Sequence, residues 1–309
     1  MSATIGRIGI DLGGTKIEGQ VLGAGGRELA RQRVASPQGD YARTVRALAD
    51  MVAHLEQSSG SPAGIMPVGI GMPGSLAPRS GLVQNANSTW LNGRPLLSDL
   101  EAALGKRVRL ANDANCFALS EATDGAGAGA GIVFGVILGT GCGGGIVIGG
   151  RLVEGPRGIS GEWGHTPLPW MSADEAPGPL CWCGRRGCME TLVSGPGLAH
   201  DFARATGEAA DPQRIAVLAA AGHAGAGAAL DRHADRLARG LAAVIDILDP
   251  DVIVLGGGLS HLDHLYLELP RLIAPHVFAD QAEVVIRPPR WGDASGVRGA
   301  AWLWPPAGA

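Results

Sequence analysis

A chain of 309 residues that is 46% hydrophobic can bury one large core or two ordinary ones, and two domains are expected. The net charge is −4 and the 25 Lys and Arg are scattered without a basic stripe, so no nucleic-acid partner is expected. No apolar run approaches the roughly 20 residues of a membrane span, and Met1 to Gly14 lacks the charged-then-apolar layout of a secretory signal. The expectation is a cytoplasmic protein with no membrane partner.

The first elements read as an antiparallel meander. Strands at Ile8 to Leu12 and Lys16 to Leu22 are joined by Gly13-Gly14-Thr15, with a third at Arg27 to Val34. From Tyr41 to Leu55, apolar Val45, Leu48, Ala49, Val52 and Leu55 recur at helical spacing and predict an amphipathic helix. A strand at Val68 to Gly71 runs into Met72-Pro73-Gly74. A helix starting at Asp113 is predicted, with Asn112 as N-cap and Phe117, Leu119 and Ala122 continuing it.

The run Gly125-Ala-Gly-Ala-Gly-Ala-Gly131 is a composition break and marks the expected domain boundary. Beyond it the plan of the N-terminus repeats: an apolar strand at Ile132 to Leu138, a turn at Gly139-Thr140-Gly141, and a strand at Gly144 to Ile148. Two similar hairpins suggest two similar domains. A long helix is marked by Leu230, Ala234, Leu237, Leu241, Ile245 and Leu248. The strand Asp251 to Leu255 then meets a third glycine turn, Gly256-Gly257-Gly258.

Glycine lets backbone N–H groups approach phosphate oxygens closely. Any one of these turns could be no more than a tight hairpin; three together point to phosphate. Gly139 to Gly144 matches GxGxxG, but that fingerprint requires a following helix, and Ile146-Val-Ile148 reads as strand, so a Rossmann site is excluded. No segment reads GxxxxGK followed by Ser or Thr, which excludes a P-loop. The 5 cysteines include three crowded into Cys181-Trp-Cys183-Gly-Arg-Arg-Gly-Cys188, a spacing better suited to a metal than to paired disulfides. Oxidised or merely free cysteines are the alternative.

Asp11-Leu-Gly-Gly-Thr-Lys16, Gly139-Thr-Gly141 and Gly256-Gly-Gly258 resemble the two phosphate hairpins and the adenosine loop of the actin-like ATPase and sugar-kinase fold. Gly161-Glu-Trp-Gly-His165 and Cys181-x-Cys-Gly-x-x-Gly-Cys-x-Glu190 narrow the resemblance to the ROK family of repressors, open reading frames and kinases. It runs from residue 5 to the C-terminus. Asn85-Ala-Asn-Ser-Thr-Trp90, Gly161 to Pro169 and Gly292 to Trp302 look like the bacterial ROK fructokinases that also accept mannose.

The resemblance implies an α/β, ribonuclease H-like fold of two domains, with ATP and sugar in the cleft between them. Residues 1–124 plus about 293–309 would form the small domain and 125–292 the larger one. ATP would dock on Gly13, Gly14, Thr15 and Lys16, on Gly139, Thr140 and Gly141, and on Gly256, Gly257 and Gly258. Asp11 would hold magnesium, directly or through water, because a bare carboxylate beside a triphosphate repels it. Asp113 would be the base that takes the sugar hydroxyl's proton, a role for which a carboxylate is needed because the hydroxyl is a poor nucleophile. Without the resemblance, Asp113 reads as a helix-capping acid and Asp11 as a strand-end acid.

Sugar contacts are implied for Gly74, Ser75, Asn87, Asn112, Asp113, Glu162, His165 and Glu190; without the resemblance, each glutamate reads as an exposed surface acid. Cys181, Cys183 and Cys188 need one more ligand for a tetrahedral structural zinc, and His165 is the expected fourth, with its second ring nitrogen turned to the sugar. Cys116 and Cys142 are expected as small buried side chains, while His200 and His223 have no companion motif.

The expected reaction is phosphorylation of fructose, and of mannose as well, at the 6-hydroxyl by a homodimer. Glucose, N-acetylglucosamine and N-acetylmannosamine are the alternative substrates. A repressor is not expected, since the first strand begins near Ile5. A non-catalytic sugar sensor would have little use for Asn112, Asp113 and three phosphate loops.

Overall fold

The computed structural model describes residues 6–62, 64–280 and 283–305. The expected strand start at Ile5 and residues 306–309 lie outside them. The first half begins with β1 (Arg7–Leu12), β2 (Lys16–Leu22) and β3 (Glu28–Ala35), antiparallel neighbours as the meander predicts. Helix α1 (Tyr41–Ser58) follows, its entry fixed by the Asp40 carboxylate accepting from the Arg43 N–H at 3.0 Å. Strand β4 (Val68–Met72), a small hairpin of β5 (Ser75–Leu76) and β6 (Val83–Gln84), helix α2 (Leu96–Leu104), strand β7 (Val108–Asn112) and helix α3 (Asp113–Asp124) complete this half.

The second half repeats the plan with β8 (Ile132–Leu138), β9 (Cys142–Ile148) and β10 (Arg151–Leu152). Four helices then run in series: α4 (Glu190–Val193), α5 (Gly195–Thr206), α6 (Pro212–Ala220) and α7 (Ala224–Leu248). Strand β11 (Val252–Gly256), helix α8 (Asp263–Ile273), strand β12 (Ile286–Arg287) and helix α9 (Ser295–Trp302) close the chain.

The similarity of the two hairpins extends to the whole sheets. The first has the order β3-β2-β1-β4-β7 and the second β10-β9-β8-β11-β12, each with an antiparallel meander on one side and parallel strands on the other. The first core lies between its sheet and α1 and α2; the second gathers Phe134, Phe202 and the apolar face of α7. Each of those buried phenylalanines stabilises the fold by about 1.5–3 kcal/mol.

Helices α3 and α9 join the halves. Helix α3 packs on β8 and β9 of the second sheet and also on α9, which lies against β1 and β4 of the first. A Cβ on Gly299 of α9 would collide with the Cys116 carbonyl of α3, so this crossing admits only glycine. The crossing is held by ions as well: Arg298 pairs with Asp124, and Glu121 accepts from Ser295 Oγ at 2.7 Å and from the Ala126 N–H at 2.8 Å.

Candidate active site

Five segments build the site, and the sharpest begins at the end of β7. There the Asn112 side-chain oxygen accepts from the Ala114 and Asn115 N–H groups, at 2.9 and 3.3 Å, as an N-cap does. Its amide nitrogen meanwhile donates to the Gly74 carbonyl at 3.1 Å, which ties the start of α3 to the turn after β4. Gly74 has φ of 71°, and a Cβ there would strike the Gln84 and Ala86 backbone, so only glycine fits. Ser75 Oγ accepts from Gln84 Nε2 at 3.1 Å, and Asn87 is exposed on the same loop.

Asp113 opens α3, reached by solvent and yet crowded by surrounding protein. Desolvation raises its carboxyl above the ordinary 3.8, against the Ala114 N–H and Asn112 bonds that favour the charge. Asp11, at the end of β1, is pushed up to about 7 by burial first and by the negative field of Asp113 second, with Lys16 opposing. Burial also raises Glu162; His165 pulls it down, and Asp113 and Glu190 raise it further. Carboxylates from four separate segments thus share one field, an arrangement that favours a divalent cation or hydroxyl donors and disfavours bare phosphate.

The glycine turns divide by role. Gly13 donates to the Lys16 carbonyl at 2.9 Å and closes the β1–β2 hairpin, with Gly14 and the exposed Thr15 at its tip. Gly139, Thr140 and Gly258 line a cavity of about 440 Å³ together with Gly195, Pro196, Asp211, Pro212 and Gln213. Gly141 lies instead beside the Glu190 carboxylate. Gly256 and Gly257 do not line that cavity: one packs on the Phe117 ring and the other against the Leu138 backbone, where side chains would collide. Part of the expected adenosine loop is therefore glycine for packing. The residues from α5 and α6 had no motif to announce them; their only signal is Pro at the first turn of each helix after a Ser194 or Asp211 cap.

Cys181, Cys183, Cys188 and His165 offer ligand atoms that all lie within 4.8 Å of one another. Cys183 and Cys188 Sγ are 3.6 Å apart, as are Cys181 Sγ and His165 Nδ1. Donors around a tetrahedral zinc lie about 3.5–3.8 Å apart, so the set fits the ion, and no disulfide joins these cysteines. Cys116 and Cys142 are buried. His223 caps α7 by accepting from the Ala226 N–H at 3.1 Å.

The segment that follows His165 is anchored to α7. Arg239 donates to the Pro169 and Trp170 carbonyls at 3.1 and 3.0 Å and pairs with Glu175 at 2.7 Å, while Arg236 pairs with Glu175 and Asp201. Burial opposes the Glu175 charge, but these two guanidiniums overcome it and hold its carboxyl down at about 2.

The sequence profile of the ROK family matches residues 7–307. The chain belongs to the ROK family. It is 42% identical over 299 residues to an N-acetyl-D-glucosamine kinase of Photobacterium profundum, covering 96% of this chain and 98% of the relative. Identity to the corresponding Yersinia enterocolitica kinase is 38% over the same shares. Among solved structures, a ROK hexokinase from Thermus thermophilus superposes with a TM-score of 0.85 at 33% identity, covering 96% of this chain and 97% of that one. A Streptomyces griseus ROK glucokinase, in complex with glucose and AMPPNP, gives 0.77 at 28% over 96% and 98%. The family and the two-halved sugar-kinase fold that the motifs implied both hold for this ROK protein. The fructokinase-like segments were the weaker guide, because the two relatives at 42% and 38% identity are named for N-acetylglucosamine. Among the described residues, no helix is long and apolar enough to cross a membrane.

Proposed function

We propose that this ROK sugar kinase transfers the γ-phosphoryl group of ATP to the 6-hydroxyl of N-acetyl-D-glucosamine. The full-length match to N-acetyl-D-glucosamine kinases carries the choice of sugar. Asp113, raised in pKa and fixed at the start of α3, supports the kinase chemistry. Its carboxylate accepts the hydroxyl proton as the sugar oxygen bonds to phosphorus and the bond to the departing ADP oxygen breaks.

Glu162, His165 and Glu190 bind the sugar hydroxyls from the large half, and Gly74, Ser75, Asn87 and Asn112 from the small half. The division we propose runs near Gly125, with the C-terminal helix returning to the small half. Asp11 would hold magnesium, which neutralises phosphate charge when bound; a carboxyl lifted to about 7 by burial first and by the charge of Asp113 second suits a site completed by a cation. Gly13, Gly14, Thr15, Lys16, Gly139 and Thr140 receive the phosphates, and the 440 Å³ cavity receives the nucleoside. Zinc on His165 and the three cysteines would brace the sugar side.

ATP consumption with N-acetylglucosamine, N-acetylmannosamine, glucose, mannose and fructose tests this reading. The highest kcat/KM is expected with N-acetylglucosamine. A preference for fructose would overturn the sugar and keep the reaction, whereas no turnover with any sugar would overturn the kinase.

A further inference from the structure

Trp182 stands between two of the cysteines, and 68% of it is exposed, an unusual setting for so large an apolar ring. It is nevertheless held on two sides. Its indole Nε1–H donates to Glu190 Oε1 at 2.7 Å. Its ring stands edge-on to His165, with centroids 4.9 Å apart and planes at 86°. The other oxygen of Glu190 accepts from the Cys142 backbone N–H at 3.0 Å, at the start of β9 beside the Gly139 to Gly141 turn.

We infer that Trp182 is the positioning residue that sets the Glu190 carboxylate for the sugar. The inference rests on the reading of Glu190 as a sugar contact. A carboxylate has about four acceptor sites; one on each oxygen is used here by Trp182 and Cys142, and these two bonds fix the plane in which the remaining lone pairs lie. A carboxylate held this way loses less rotamer freedom when a sugar binds than a free glutamate does. The loop holding the indole is itself rigid, with the Cys181 N–H donating to the Arg185 carbonyl at 2.7 Å and the Gly184 N–H to the Cys181 carbonyl at 2.9 Å. The cysteine loop is thereby coupled to Glu190 through one N–H bond.

Trp182→Phe keeps a ring against His165 and deletes the N–H. With the sugar turned over best, it is expected to raise the sugar KM about tenfold, the loss of one hydrogen bond to a charged group. The value of kcat should stay within about twofold, with the KM for ATP, bound zinc and melting temperature unchanged. Glu190→Gln should also raise the sugar KM, and the double variant should be no worse than Glu190→Gln alone, because the two residues act as one unit. An unchanged sugar KM in Trp182→Phe beside a raised one in Glu190→Gln would overturn the role of Trp182. Additive losses, or loss of zinc from Trp182→Phe, would overturn it too. An unchanged KM in Glu190→Gln would instead overturn Glu190 as a sugar contact.

Discussion

Asp113 does two things that sequence reading weighs against each other: it begins a helix, and it presents a carboxylate to the cleft. The capping work belongs to Asn112, whose side chain takes two N–H bonds and leaves Asp113 available for chemistry. Asp113→Asn is therefore expected to fold and bind sugar while kcat falls by roughly 10²–10⁴-fold, measured by steady-state turnover beside calorimetric sugar binding. Its raised carboxyl also has a kinetic sign. The base is the deprotonated form, so kcat/KM falls as pH drops through a value above the ordinary 3.8, and a profile flat down to that range would count against Asp113.

Helix α9 shows how an element remote in sequence controls the site. It crosses α3 at Gly299, where a Cβ would meet the Cys116 carbonyl, a backbone atom that no rotamer change can move. Gly299→Ala is expected to cost about 3 kcal/mol or more in stability and to lower kcat, because the displaced helix carries Asp113. Gly227→Ala in α7 is the contrast: nothing lies within 4 Å of a Cβ there, and the helix gains up to about 1 kcal/mol from the better helix former. Thermal or denaturant melts of both variants check the pair. The periodic apolar face of α1 made it legible from residues alone, and α7 was legible from Leu230 onward. Its first turns, Ala224 to Ala229, were not, since alternating Ala and Gly carry no apolar stripe.

At the scale of the molecule, two sheets of the same order face a shared pair of helices, and Asp113 of the first half and Glu162 of the second share a field because the halves meet at α3 and α9. The cysteine loop meets His165 in the four-residue cluster and, through Trp182, Glu190, the residues proposed to contact the sugar. Stripping zinc with a chelator is expected to lower the melting temperature and raise the sugar KM while nucleotide affinity is largely kept, read by metal analysis, melting and kinetics. Full sugar affinity and an unchanged melt in stripped protein would remove the metal from the account.

The motifs by themselves determined the family and the repeated hairpin plan and brought forward Asp113 as the proposed base and Cys181, Cys183 and Cys188 as a candidate metal loop, because each depends on residues close in the chain with distinctive chemistry. Only the tertiary structure decided which glycines line the 440 Å³ cavity and which allow close packing, since Gly256 and Gly258 look alike until Phe117 and Gln213 are placed beside them. It alone brought α5 and α6 to the cavity, and Trp182 to Glu190. Such pairings depend on how separate segments meet in space, and local spacing carries no record of that.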